Sequence, residues 1–208
     1  WRPRGPRRAA RRGEENKVNR DGVYTFTFGL GSYAAWGQDP GIVRQLFSFL
    51  SGSDFFPDVL DRHDPPRRGF TGSQLDIDFW LDKKPAEWGR YLLIESRRPP
   101  VHWSEVHWVD PALEPMRSRG DYNYIFGQVE DVDVRIARQL WNGLIECLRP
   151  FHSYLDRSDR RDIRIQFRRH DETVEKSMGG YLQRLPGFFA YNYFGPVYVR
   201  TFGPKLAS

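Results

Sequence analysis

The chain has 208 residues, of which 39% are hydrophobic, 15% aromatic and 28% charged, and its formal net charge is +5. This length is typical of one domain with a substantial core, and no apolar run approaches the roughly 20 residues that a membrane-spanning helix needs. The single cysteine, Cys147, excludes an internal disulfide framework and favours a reducing compartment. We therefore expect a cytoplasmic protein that does not enter a membrane.

The positive charge is concentrated at the start of the chain. Residues 1–20 contain eight Lys or Arg and two Glu, a net of +6, whereas the other 188 residues contain 24 basic and 25 acidic residues, a net of −1. A segment so rich in Arg, Pro and Gly buries too little apolar surface to fold alone. Residues 1–20 are predicted to be a disordered basic arm, and residues 21–208 a single domain. The arm leaves weak binding to nucleic acid open as an alternative function.

The first ordered elements are predicted to be a strand and a helix. Aromatic residues alternate with threonines over residues 24–28, which predicts a half-buried strand that the glycines of residues 29–32 end. Asp39 and Pro40 form a helix N-cap and first turn, and Gly52 closes the helix. Its apolar stripe consists of Ile42, Val43, Leu46, Phe47 and Leu50.

A proline- and aspartate-rich loop is predicted over residues 55–69, followed by a strand over residues 75–82 with one apolar and one acidic face. The acidic face carries Asp76, Asp78 and Asp82. The interval from residue 54 to residue 82 holds seven acids against three arginines, a local net of −4. This face is predicted either to contact a basic partner or to pair with the basic strand predicted over residues 163–168.

An apolar strand over residues 91–95 should form a hairpin with the acidic strand, and residues 99–121 are predicted to be an irregular surface excursion. Trp103 and Trp108 in this excursion are candidate partner contacts. His102 and His107 also lie there, but side chains five positions apart do not converge in a strand or a helix. We expect no metal site and no cofactor.

The second half is predicted to contain a strand over residues 122–129 and a long helix that Asp133 caps and Pro150 ends. The core-facing stripe of this helix consists of Val134, Ala137, Trp141, Leu144 and Leu148. Cys147 is interpreted as a small core residue of the same helix. A charged turn is predicted over residues 156–162.

Five aromatic residues fall within residues 188–194, between Pro186-Gly187 and Gly195-Pro196. This density predicts a central strand that is packed on both faces, with Asn192 bonding the backbone at the following corner, and a short final helix from Pro196. The elements together predict the α+β class: a single domain with a mainly antiparallel sheet and two principal helices packed on it.

The stretch over residues 185–199, which runs Leu-Pro-Gly, two Phe, Ala, Tyr-Asn-Tyr-Phe, Gly-Pro and then Val-Tyr-Val, resembles the C-terminal signature of immunity proteins of bacterial polymorphic toxin systems. The most similar group is paired with restriction-endonuclease-like toxins. The resemblance covers about twenty of the 208 residues. It implies a non-catalytic protein that binds and neutralises a cognate toxin, of nuclease type in this group.

The chain contains no internal repeat, serine-nucleophile elbow, zincin sequence or phosphate-binding loop. The candidates for acid–base chemistry are Asp76, Asp78 and Glu95, a set that is common on solvated strand faces. We therefore expect a binding protein rather than an enzyme, with an enzyme that uses this acidic site as the alternative.

Overall fold

The structure is a computed structural model, and it describes residues 22–32, 39–82, 90–108, 123–158, 189–196, 199–200 and 203. The basic arm, the strand predicted over residues 163–168 and the side chain of Trp108 lie outside this description.

The described residues form one antiparallel sheet of seven strands and three helices. The strands are β1 (Tyr24–Ser32), β2 (Val59–Asp61), β3 (Arg90–Ser96), β4 (His102–Trp108), β5 (Asn123–Val132), β6 (His152–Arg157) and β7 (Tyr191–Phe194). The helices are α1 (Pro40–Ser51), α2 (Gln74–Leu81) and α3 (Val134–Leu148). The strand order is β2-β3-β4-β5-β1-β6-β7. The predicted α+β class with a mainly antiparallel sheet is confirmed.

All three helices contribute to one core on the same side of the sheet, which we call the inner face. Residues that are paired across neighbouring strands share a face, so the register places Ile94, Gly127, Phe28 and Leu155 in one inner row. Phe28, Leu155 and Trp80 of α2 have no exposed surface. The core therefore lies between the inner face and the helices, and the opposite side of the sheet is the outer face.

The two longer helices begin and end as predicted. The side chain of Asp39 accepts a hydrogen bond from the Gly41 N–H at 2.8 Å, and Gly52 follows the last turn of α1. The side chain of Asp133 accepts from the N–H groups of Arg135 and Ile136 at the start of α3. These bonds satisfy backbone donors that a helix start leaves open. Within the described residues, no helix is long and apolar enough to cross a membrane.

The sequence predicts that the aromatic strand near the end of the chain is central. In the structure this strand, β7, lies at the end of the strand order. It pairs with β6 and has four half-buried residues. β1 lies inside the sheet, between β5 and β6, and it continues through residues 29–32 because Gly29 leaves room for the ring of Tyr154. The side-chain amide of Asn192 does form hydrogen bonds with the backbone, as predicted, but with a different residue. It accepts from the N–H of Phe189 and donates to the Phe189 carbonyl, rather than bonding the corner at Gly195-Pro196.

Four other predictions were wrong. Residues 74–81 form helix α2 instead of an acidic strand, so the hairpin partner of β3 is β4. The predicted loop over residues 55–69 contains β2, and the predicted surface excursion from residue 99 contains β4. The predicted charged turn begins inside β6, which runs to Arg157.

Candidate partner-binding face

The acidic face that the sequence predicted does not exist, because a helix distributes these aspartates around its axis. Asp76 has no exposed surface and lies 2.6 Å from the guanidinium of Arg68. Asp78 is exposed and accepts a hydrogen bond from the Gln74 side chain. Asp82 follows the helix and lies 3.6 Å from Arg62. The three carboxylates therefore have three different environments.

Asp76 has a structural role at the start of α2. Its carboxylate accepts hydrogen bonds from the N–H and the hydroxyl of Thr71, both at 2.7 Å, and from the N–H of Ser73 at 3.3 Å. Burial raises the pKa of Asp76, but the bonds from Thr71 and the charge of Arg68 outweigh burial and leave the pKa below its usual value. Asp76 is thus an ionised internal group.

Asp61, which also belongs to the acidic interval, is held in the same way. Its carboxylate accepts hydrogen bonds from the N–H groups of Arg62, His63, Arg67 and Arg68. Burial raises the pKa of Asp61, but the hydrogen bonds from these backbone donors and from the ring of His63 have the larger combined effect and lower the pKa to about 2. Asp58 accepts a hydrogen bond from the N–H of Arg97 at 2.6 Å and lies 2.7 Å from the guanidinium of Arg98. Several carboxylates of the acidic interval are therefore bound to groups within the fold.

The three candidates for acid–base chemistry are not brought together. Asp76 and Asp78 lie on different sides of α2, and Glu95 is directly opposite Trp103 on the outer face of the sheet. Within the described part of the chain, no group of three His, Cys, Asp or Glu residues is placed to hold a metal ion. Cys147 is buried in the core, as expected, and burial raises the pKa of its thiol to about 11.

Trp103 lies instead in a cluster on the outer face of β3, β4 and β5, which we call the outer patch. Cross-strand pairing places its members in rows: Glu95 beside Trp103 and Gln128, Leu93 beside Glu105 and Phe126, and His107 beside Tyr124. The outer patch thus comprises Leu93, Glu95, Trp103, Glu105, His107, Tyr124, Phe126 and Gln128. Most of these side chains are half-buried, and Tyr124 is 41% exposed.

Contacts between its own members hold the outer patch in shape. The indole N–H of Trp103 donates a hydrogen bond to Gln128 Oε1 at 3.2 Å, and the Trp103 ring meets Phe126 edge-on with 5.5 Å between centroids. The rings of His107 and Tyr124 stack at 4.3 Å. Aromatic pairs in such geometries add roughly 0.5–1.5 kcal/mol beyond burial. The aromatic surface is therefore fixed before any partner arrives.

Glu105 is the only carboxylate in the middle row of the outer patch. Its carboxylate lies 3.7 Å from His107 Nε2, and its side chain is 28% exposed. Burial, followed by the negative charge of Glu105, raises the pKa of Tyr124 to about 12. The Tyr124 hydroxyl therefore stays protonated and neutral at physiological pH.

His102 faces the other way, as the spacing of the two histidines predicted. It is buried on the inner face with 1% exposure, and its Nε2 lies 2.9 Å from the carbonyl oxygen of Phe55. Burial is the main cause that lowers the pKa of His102. His102 and His107 therefore do not share a site.

The sequence predicted Trp103 as a candidate partner contact but did not single out Glu105, Tyr124, Phe126 or Gln128. The signal that was present is the alternation over residues 102–107, in which the odd-numbered residues are half-buried and the even-numbered ones are buried. It was obscured because two of the three inner residues, His102 and Ser104, are polar.

No model of a known protein family matches this chain, and no curated protein sequence matches it.

Proposed function

We propose that this chain is a non-catalytic protein that binds a protein partner through the outer patch, and that the partner is a cognate bacterial toxin of nuclease type. The observation that carries the binding role is the half-buried aromatic surface around Trp103 on the side of the sheet opposite the helices. The resemblance of residues 185–199 to toxin immunity proteins supports the choice of partner.

The outer patch has the properties of an interface centre. Trp and Tyr are enriched among residues that dominate binding energy, because they offer large contact areas with few rotatable bonds. Trp103 and Tyr124 lie on adjacent strands rather than on loops, so little ordering entropy is lost when a partner docks. The described residues also give the enzyme alternative little support, since its three candidate carboxylates are apart.

The charge of the outer patch fits a basic partner. Its carboxylates are Glu95 and Glu105, and a nuclease must present positive charge where it holds phosphate. Complementary charge of this kind speeds association and fixes the register of the complex. We propose that the protein covers the phosphate-binding surface of the toxin stoichiometrically and so excludes nucleic acid. Such a protein acts in the cytoplasm of the cell that makes the toxin.

The test is co-expression with the C-terminal domain of a toxin encoded by an adjacent gene, followed by size-exclusion chromatography and a growth assay. Wild-type protein should co-elute with the toxin domain and restore growth. Trp103→Ala should weaken the complex by at least roughly 30-fold, corresponding to about 2 kcal/mol for a central aromatic contact.

The matched control is Leu75→Ala, which removes an apolar side chain that is 72% exposed on α2, away from the outer patch. It should bind the toxin domain like the wild type. Because Trp103→Ala also removes packing, its folding is checked by circular dichroism, and Gln128→Arg serves as a second patch variant. If folded patch variants protect and bind like the wild type, the proposed binding face is wrong.

A further inference from the structure

We infer that Glu105 receives an arginine side chain of the partner, with the guanidinium stacked against Trp103. This inference rests on the proposed function and deepens it by naming the chemical group that the outer patch recognises. It is carried by the position of Glu105 and by the contacts that its carboxylate makes and lacks.

Glu105 has apolar or aromatic neighbours in the row that crosses β4. Leu93 is directly opposite on β3, and Phe126 is directly opposite on β5. Trp103 and His107 are two positions away along β4 and point to the same side. A carboxylate is thus set among nonpolar surfaces that shield it partly from water, where an ionic contact is worth more than on an open surface.

The carboxylate of Glu105 is not satisfied by the described residues. The one positively chargeable group among them that approaches it is His107 Nε2 at 3.7 Å, which is beyond hydrogen-bond length. None of the described side chains or backbone groups donates a hydrogen bond to it. The carboxylates of Asp61 and Asp76, by contrast, each accept several. Within the described part of the chain, Glu105 therefore retains acceptor capacity for a further donor.

A second carboxylate lies next to Trp103. Glu95 is directly opposite Trp103 and is approached by Arg97 at 3.5 Å, but the Arg97 side chain is 57% exposed. An exposed ion pair of this length contributes little, because water and salt screen it. Trp103 is therefore flanked by Glu95 across the strands and by Glu105 along its own strand, and an incoming cation would be attracted from two sides.

Arginine fits this arrangement better than lysine. A guanidinium is planar, stacks on an indole ring and presents several donors at fixed angles to a carboxylate. Lysine carries a compact, strongly hydrated charge that gains less from a flat aromatic surface. The outer patch supplies the indole of Trp103 and the open carboxylate of Glu105 side by side, which is the pair of groups that a guanidinium uses.

The experiment titrates the full chain with the blocked tripeptide Gly-Arg-Gly, with Gly-citrulline-Gly as a neutral probe of nearly the same shape. The readout is the indole N–H resonance of Trp103 in a nitrogen–proton correlation spectrum, assigned by its loss in Trp103→Phe. The arginine peptide should shift this resonance saturably in the millimolar range, and the citrulline peptide should bind at least roughly tenfold more weakly.

Glu105→Gln should weaken binding of the arginine peptide by roughly tenfold, and Asp78→Asn, which neutralises an exposed carboxylate on α2, should not change it. Equal shifts with both peptides, or undiminished binding by Glu105→Gln, would overturn the inference. The proposed function is judged separately: if Trp103→Ala loses the toxin domain while Glu105→Gln retains it, the outer patch binds the toxin but does not recognise arginine through Glu105.

Discussion

The guanidinium of Arg68 lies 2.6 Å from the carboxylate of Asp76, which has no exposed surface. The two groups make a close ionic contact through one oxygen of the carboxylate, and the other oxygen accepts hydrogen bonds from Thr71. Arg68 also lies over the Phe79 ring, with 4.3 Å between its central carbon and the ring centroid. The segment before α2 is thereby joined to both ends of that helix.

Removing one member of this pair should be costly. Arg68→Met leaves the buried carboxylate of Asp76 without its counter-charge, and we expect a loss of about 3 kcal/mol in the free energy of unfolding, measured with urea. Asp78→Asn on the exposed side of α2 should change it by less than about 0.5 kcal/mol. A loss below about 1 kcal/mol for Arg68→Met would show that the hydrogen bonds from Thr71 suffice to hold Asp76.

Acid should destabilise the protein through Asp61. Its pKa in the folded chain is about 2, below the ordinary value of 3.8, so the unfolded chain binds the proton more tightly. The resulting stabilisation, about 2 kcal/mol, is complete above pH 5 and is lost as the pH falls from about 4 toward 2. We expect the difference in unfolding free energy between wild type and Asp61→Asn to shrink over this interval in urea titrations. A difference that stays constant over this interval for Asp61→Asn would contradict the assignment.

Gly143 in α3 should resist replacement even though alanine favours helices. An added Cβ would lie within 3 Å of the Phe49 ring of α1, so the ring would have to move. Alanine gains about 1 kcal/mol in helix propensity, whereas overpacking costs about 1–3 kcal/mol. We expect Gly143→Ala to lower the thermal midpoint. In a Phe49→Ala background the same change should raise the midpoint, and a loss in both backgrounds would place the conflict elsewhere.

Local capping signals predicted the two long helices because their determinants lie close together in sequence. Asp39 and Asp133 each reach backbone donors two or three residues on, and an apolar stripe follows each. The same kind of signal was present for α2, since Ser73 and Asp76 are spaced as a capping box. The alternation of apolar and acidic residues over residues 75–82 favoured a strand instead. The helix also reverses the usual burial, because Asp76 is buried and Leu75 is exposed.

The position of each strand in the sheet could not be read from composition. The aromatic residues of β7 predicted a central strand, but they pack at the last position of the order. β1 lies inside the sheet although Gly29 and Gly31 resemble a turn, because the ring of Tyr154 occupies the space over Gly29. The candidate site was predictable only as far as Trp103, since its remaining members come together through cross-strand pairing, which depends on register.

The position of β1 between β5 and β6 has a consequence for how the chain acquires its structure. Phe28 pairs with Gly127 on one side and with Leu155 on the other, so both neighbours of the first strand are made about a hundred residues later. At a synthesis rate of roughly 5–20 residues per second, β1 waits on the order of ten seconds for its second neighbour to emerge from the ribosome. Such distant pairings also slow folding of the complete chain. β1 is therefore an apolar segment in need of protection until then, and its part of the inner face closes only after β6 has been made.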